Sequence, residues 1–229
     1  MMQEIRENLE NVLERIAGAA VKSGRKPKDV TLIGVTKTVE PARINAAIEA
    51  GLKIIGENRV QEAREKFPEI QPVEKHLIGH LQTNKVKYAV QLFDMIQSVD
   101  SYHLAEEIDK RMEKLGGQMP VLLEVNTSGE ASKFGCPPDE AIALAEKVAQ
   151  LPHLRIEGLM TIGLFSDEEK LVRRCFEQLR ELSRKISEKG FSNCEMKYLS
   201  MGMSSDFEWA ILEGSNMVRI GSAIFGARL

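Results

Sequence analysis

Hydrophobic positions along this chain keep two rhythms that alternate from end to end. Ile5, Leu9, Val12, Leu13 and Ile16 recur at helical spacing before Gly24 and Pro27, so residues 1–24 are predicted to form an opening amphipathic helix. Short β-branched or aliphatic runs follow. They cover Val30 to Thr36, Lys53 to Gly56, Lys75 to Gly79 and Met95 to Val99, then Val121 to Asn126, Ile156 to Ile162, Tyr198 to Ser200 and Val218 to Ile220. These eight runs read as strands.

Between the strands, apolar residues return every three or four positions, as in Leu104, Ile108, Met112, Leu115 and in Leu171, Cys175, Leu179, Leu182, Ile186. That spacing predicts helices with one face turned to a sheet. Pro137-Pro138 with Asp139-Glu140 marks one helix start, and Ser166 with Glu169 and Ser205 with Glu208 read as capping boxes. Gly116-Gly117 and Gly190 mark stops. Strand and helix alternating with short connections predict a single parallel (β/α)₈ TIM barrel with an extra N-terminal helix. A doubly wound open sheet is the alternative. The last strand ends close to Leu229, no linker divides the chain, and one domain over residues 1–229 is expected.

Composition narrows the partners. Lys and Arg number 31 against 34 Asp and Glu, a formal net charge of −3, which argues against nucleic acid or an anionic membrane as the main partner. Cys136, Cys175 and Cys194 are an odd number at unrelated spacings, fitting neither a disulfide framework nor a zinc site. No apolar run reaches the ~20 residues of a membrane span. A cytoplasmic location is expected.

In a barrel of this kind, functional groups sit at the C-terminal ends of the strands. Those positions are polar here: Thr36-Lys37, Glu57-Asn58, His80, Asn126-Thr127-Ser128, Ser200 to Ser204 and Gly221-Ser222. A lysine amine at a partly desolvated mouth can form a Schiff base with an aldehyde. The loops after strands 7 and 8 of such barrels recur as phosphate sites, and Ser200-Met-Gly-Met-Ser-Ser205 and Gly221-Ser222 supply hydroxyls and glycines there. Amine and phosphate site together point to pyridoxal phosphate. Arg219 alternates with Val218 and Ile220 and is expected to face the barrel interior. There it either pairs with a strand-end carboxylate such as Glu57 or Glu124, or donates to a pyridine nitrogen. In the second case it disfavours protonation of the ring. His80 is a candidate for lining the pocket. Met160 and Met201 at strand ends can pack on an aromatic ring, although barrel core is the simpler explanation for Met160. Lys133 either approaches a substrate carboxylate or belongs to a solvated loop.

Several longer motifs carry a resemblance: Val35-Thr-Lys37, Ile55-Gly-Glu-Asn58, His76-Leu-Ile-Gly-His-Leu-Gln82, Val125-Asn-Thr-Ser-Gly-Glu130, Gly158-Leu-Met-Thr161, Leu199-Ser-Met-Gly-Met-Ser-Ser-Asp206 and Val218-Arg-Ile-Gly-Ser222. Across nearly its whole length the chain resembles the pyridoxal phosphate homeostasis protein family, whose fold is similar to the N-terminal barrel of alanine racemase. The resemblance implies that Lys37 carries the cofactor as a Schiff base, that Asn58 lies beside its ring, and that Arg219 faces the ring nitrogen. It implies that Ser200, Ser204, Gly221 and Ser222 hold the phosphate. It also implies a role in vitamin B6 supply without an established turnover, with apo forms of pyridoxal-phosphate enzymes as candidate recipients.

Racemisation needs a base on each face of the substrate carbon. Lys37 can serve one face, but Tyr88, Tyr102 and Tyr198 fall in predicted helices or at a strand start, away from the mouth. A monomeric cofactor-binding protein is therefore expected rather than an enzyme. The alternatives are a weak pyridoxal-phosphate racemase and a cofactor-free Schiff-base aldolase, the latter giving Arg219 no purpose.

Overall fold

The computed structural model describes residues 2–226, so residues 1 and 227–229 of the expected domain lie outside the described residues. Its first half runs α1 (Met2–Lys22), β1 (Thr31–Val35), α2 (Pro41–Glu49), β2 (Ile54–Glu57), α3 (Val60–Lys66), β3 (Glu74–Leu77), α4 (Val86–Leu92) and β4 (Met95–Val99). The second half runs α5 (Tyr102–Leu115), β5 (Met119–Glu124), α6 (Ala141–Val148), β6 (Leu154–Met160), α7 (Glu169–Ser187), β7 (Cys194–Ser200), α8 (Phe207–Leu212), β8 (Met217–Ile220) and the single turn α9 (Ser222–Phe225). The strands pair in sequence order, and β1 pairs parallel with β8 to close a barrel. The open-sheet alternative is thereby excluded.

Side-chain alternation divides the burial in two. Outward residues such as Ile55, Leu77, Ile96, Val121, Leu123, Ile156, Leu159, Val218 and Ile220 pack with the apolar faces of the helices. In α7 that face is Val172, Cys175, Phe176, Leu179, Leu182 and Ile186, all buried. Inward residues Ile33, Ile54, Met95, Leu122, Met160 and Met217 fill the barrel. Two residues further along three of these strands, the inward positions become polar: Gln97, Glu124 and Arg219 are all buried.

Some boundaries differ from expectation. The β7 strand begins four residues before Tyr198, because Cys194-Glu-Met-Lys alternates half-buried with exposed charged residues and hides its strand character. Neither capping box forms. Ser166 Oγ accepts from the Glu168 N–H, while Glu169 pairs with Arg173. Before α8 the N-cap position is Asp206, whose carboxylate accepts from the Met203 N–H, and Glu208 pairs with Arg15 of α1. Pro138 to Glu140 form a turn preceding α6. The expected stop at Gly116 holds, with left-handed φ +74° after α5. Helix α1 packs on α2, α8 and α9, and Asn8 donates to the Ile224 carbonyl.

Two glycines mark close backbone approach near the mouth. A Cβ on Gly158 would lie 2.0 Å from the Tyr198 carbonyl oxygen, and its φ is +145°. A Cβ on Gly79 would lie 2.4 Å from the Asn58 carbonyl oxygen. The bare glycine at 79 lets the loop after β3 lie against Asn58.

Candidate cofactor site

Lys37 lies two residues beyond the end of β1, and the backbone on both sides of it is clamped from α3. Lys66, 8% exposed, donates from Nζ to the Thr36 carbonyl (2.8 Å), to Glu57 Oε1 (2.9 Å) and to Glu62 Oε1 (2.7 Å). Glu62 Oε1 in turn accepts from the Thr38 N–H at 2.5 Å. Thr36 Oγ1 donates to Glu57 Oε1 at 2.6 Å. Thr38 has φ +62°, a left-handed conformation that side chains other than glycine rarely adopt, and this network holds it there. Burial pushes the Glu57 carboxyl above its ordinary range, opposed by Lys66 and Thr36. Glu57 is thus engaged by Lys66 rather than by Arg219, which removes it from the two carboxylates named as alternative partners for that arginine.

A cavity of about 430 Å³ opens at the C-terminal ends of β1, β2, β3, β6, β7 and β8. Lys37 and Asn58 line it with the apolar side chains of Val35 and Ile78. The loops after β7 and β8 contribute Met203, Ser204, Ser205, Gly221 and Ser222. Ile162 and Phe165 come from the loop after β6, and Phe165 is 84% exposed at the rim. Arg219 is 4% exposed and also borders the cavity. It donates from Nη1 to Ser200 Oγ at 2.6 Å and from Nη2 to the Thr161 carbonyl at 2.7 Å. Burial lowers its pKa to about 10, partly offset by Glu124 and Asp206, so the guanidinium stays charged at neutral pH. The N–H of Gly221 donates to Ser204 Oγ at 3.3 Å, which joins the two serine-bearing loops. Asn58 Oδ1 is buried with no hydrogen-bond partner among the described residues.

The chain matches the family described as alanine racemase, N-terminal domain, over residues 2–229. It is 43% identical over 224 residues to the pyridoxal phosphate homeostasis protein of Aquifex aeolicus, covering 97% of this chain and 97% of that protein. The chain belongs to the pyridoxal phosphate homeostasis protein family. Among solved structures, PipY of Synechococcus elongatus with PLP bound is similar, with a TM-score of 0.81 and 35% identity over 94% of this chain and 100% of that one. Alanine racemase of Clostridium difficile is similar in fold, with a TM-score of 0.73 at 19% identity over 99% of this chain and 56% of that one.

Of the positions picked out by resemblance to the pyridoxal phosphate homeostasis protein family, Lys37, Asn58, Ser204, Arg219, Gly221 and Ser222 converge on the cavity. Ser200 does not reach it. Its hydroxyl is fully buried, donates to Gln97 and accepts from Arg219, which leaves it committed inside the barrel. Met201 is fully buried in the outer core, and Met203 takes the place at the cavity, because the chain turns at Gly202 with φ +96°. His80 stands apart beside a neighbouring hollow. Its ring stacks on Phe134 at 3.9 Å, and its Nδ1 lies 3.4 Å from Asp100 Oδ2. Lys133 pairs with Glu130 and donates to the Gly163 carbonyl at 2.6 Å, bridging the loops after β5 and β6. Met160 belongs to the interior core. Sequence reasoning left out Val35, Ile78, Ile162 and Phe165 as lining residues, while Ser205, read as part of the serine-bearing loop after β7, does line the cavity. Phe165, an aromatic in a polar loop directly after a strand, carried the only recognisable signal.

Proposed function

We propose that this chain binds pyridoxal 5'-phosphate in the cavity as a Schiff base on Lys37, and sequesters or delivers it inside the cell as part of vitamin B6 homeostasis. The observation that carries the reading is the convergence of a lysine amine, a buried guanidinium and the Ser204, Ser205 and Ser222 hydroxyls on one cavity with apolar walls. Lys37 would hold the aldehyde carbon, Arg219 would face the ring nitrogen, and Ser204, Gly221 and Ser222 would hold the phosphate. The unpartnered Asn58 Oδ1 fits the ring hydroxyl as an acceptor awaiting a donor. When bound, pyridoxal phosphate supplies an electrophilic carbon and an electron-withdrawing ring.

The residues around it favour holding over turnover. Among the described residues that line the cavity, Lys37 is the one suited to take a proton from carbon, and Tyr88, Tyr102 and Tyr198 are absent from the lining. A missing general base costs typically 10²–10⁴-fold. A charged Arg219 facing the ring nitrogen disfavours its protonation and weakens the ring as an electron acceptor. The curated relatives are named for homeostasis rather than for a reaction, in keeping with this reading.

The test is the absorbance spectrum of purified protein with added pyridoxal phosphate, then borohydride reduction and peptide mass mapping. A visible band and a label on Lys37, both lost in Lys37→Ala, are expected. No band, or label scattered over surface lysines, overturns the proposal.

A further inference from the structure

Behind Arg219, on the side away from the cavity, an unbroken series of hydrogen bonds crosses the barrel interior. Arg219 Nη1 donates to Ser200 Oγ (2.6 Å), and Ser200 Oγ donates to Gln97 Oε1 (2.6 Å). Gln97 Nε2 meets His76 Nδ1 at 2.8 Å, and His76 Nε2 meets Glu74 Oε1 at 2.8 Å. Ser200, Gln97, His76 and Arg219 are all buried, whereas the Glu74 side chain is 50% exposed at the start of β3. The series therefore joins the floor of the cavity to solvent at the opposite pole of the barrel.

The direction of every bond follows from its first member. A guanidinium has donors only, so Ser200 Oγ must accept from it and turn its own proton to Gln97. Gln97 then presents its carbonyl to Ser200 and its amide N–H to His76. A flipped amide would aim a donor at Ser200 and leave the serine proton without an acceptor. His76 Nδ1 is thereby made an acceptor, and its proton sits on Nε2, directed at the Glu74 carboxylate. The bond from His76 holds the Glu74 carboxyl below its ordinary range, in keeping with an anion at that end. All the donors point from the cation toward the anion, the arrangement in which hydrogen bonds polarise one another.

We infer that Ser200, Gln97, His76 and Glu74 are positioning residues, a one-way chain with His76 in its Nε2–H tautomer that holds Arg219 in place beneath the cavity. The chain orients the guanidinium that the cofactor ring would meet, so the inference deepens the proposed function and its second part rests on that reading. Its first part, the tautomer, needs no cofactor.

Long-range ¹H–¹⁵N NMR of the unliganded wild-type protein at about pH 7 reads the His76 ring directly. A neutral ring protonated at Nε2 is expected; a ring protonated at Nδ1 overturns the chain. With pyridoxal phosphate added, Gln97→Leu and Ser200→Ala are compared with wild type in dissociation constant and in the pH midpoint of the bound cofactor's visible band. Gln97→Leu leaves the Arg219 to Ser200 contact in place but removes the acceptor behind it. Each variant is expected to bind about tenfold more weakly, Ser200→Ala by removing one hydrogen bond to the charged Arg219 and Gln97→Leu by removing the acceptor that orients the serine making it. Each is also expected to shift the midpoint by about one pH unit. Ser200→Ala removes a single oxygen, so it serves if Gln97→Leu fails to fold. Unchanged affinity and midpoint in a folded variant overturn the positioning role. If wild type itself acquires no label on Lys37, the cofactor reading fails, and the tautomer alone still decides whether the chain exists.

Discussion

Glu124 lies two residues beyond Leu122 on the inner face of β5, 2% exposed, and its Oε2 has no hydrogen-bond partner among the described residues. Burial, with a smaller push from Asp100, raises its pKa to about 7, while Arg219 opposes the shift. The folded protein therefore binds this proton more tightly than the unfolded chain does. Its stabilising share is complete below the ordinary carboxyl range and is lost as pH rises through about 7. Glu124→Gln, which mimics the protonated acid, is expected to be more stable than wild type by on the order of 3 kcal/mol above about pH 8. The gain should vanish below about pH 4.5; urea unfolding across that range measures it. A difference that does not depend on pH would contradict the assignment. At this scale Lys37, Asn58, Ser204, Arg219, Gly221 and Ser222 were legible as residues of the barrel mouth, because strand ends and turn residues gather there, and all six line the cavity. The inward position of Ser200 was not legible, because the sequence does not show that Arg219 and Gln97 engage its hydroxyl from inside the barrel.

Strands β6 and β7 run so close that Gly158 has no room for a side chain, since its Cβ would fall 2.0 Å from a backbone oxygen of β7. Backbone cannot withdraw as a flexible side chain can. Gly158→Ala is expected to cost more than about 3 kcal/mol or to prevent folding, through both the contact and the positive φ. Gly18, on the exposed face of α1, has open space at its Cβ, and Gly18→Ala is expected to stabilise by about 0.5–1 kcal/mol. Chemical denaturation midpoints of the pair measure both; equal effects would mean that the close approach at Gly158 is not real. Every strand and the long helices were legible from periodicity. The capping boxes were not, because Ser-x-x-Glu marks a helix start only when the serine occupies the N-cap position, and here Glu168 and Asp206 occupy it. The seventh strand was read short for a related reason, since exposed Glu195 and Lys197 interrupt its apolar positions.

The closed barrel brings residues from the two ends of the chain to one cavity, with β1 beside β8 delivering Lys37 and Arg219. If the assembly holds its cofactor rather than turning over substrate, protein with pyridoxal phosphate and alanine in deuterated water should exchange the α-hydrogen no faster than free pyridoxal phosphate does. Exchange well above that background, abolished by Lys37→Ala, would make the chain an enzyme instead. Among the described residues no helix is long and apolar enough to cross a membrane, and no cluster of metal-binding side chains was found. By itself the sequence determined the alternation of strands and helices, the inward placement of Arg219, and the amine and serine loops of the mouth, because these follow from local periodicity and from residue chemistry at strand ends. Only the tertiary structure decided which groups meet. The bond between Lys66 and the Thr36 carbonyl, the run from Arg219 through Gln97 to His76, and the exclusion of His80 from the cavity depend on contacts across the barrel. Closure of the sheet sets those contacts, and no local pattern in the chain encodes them.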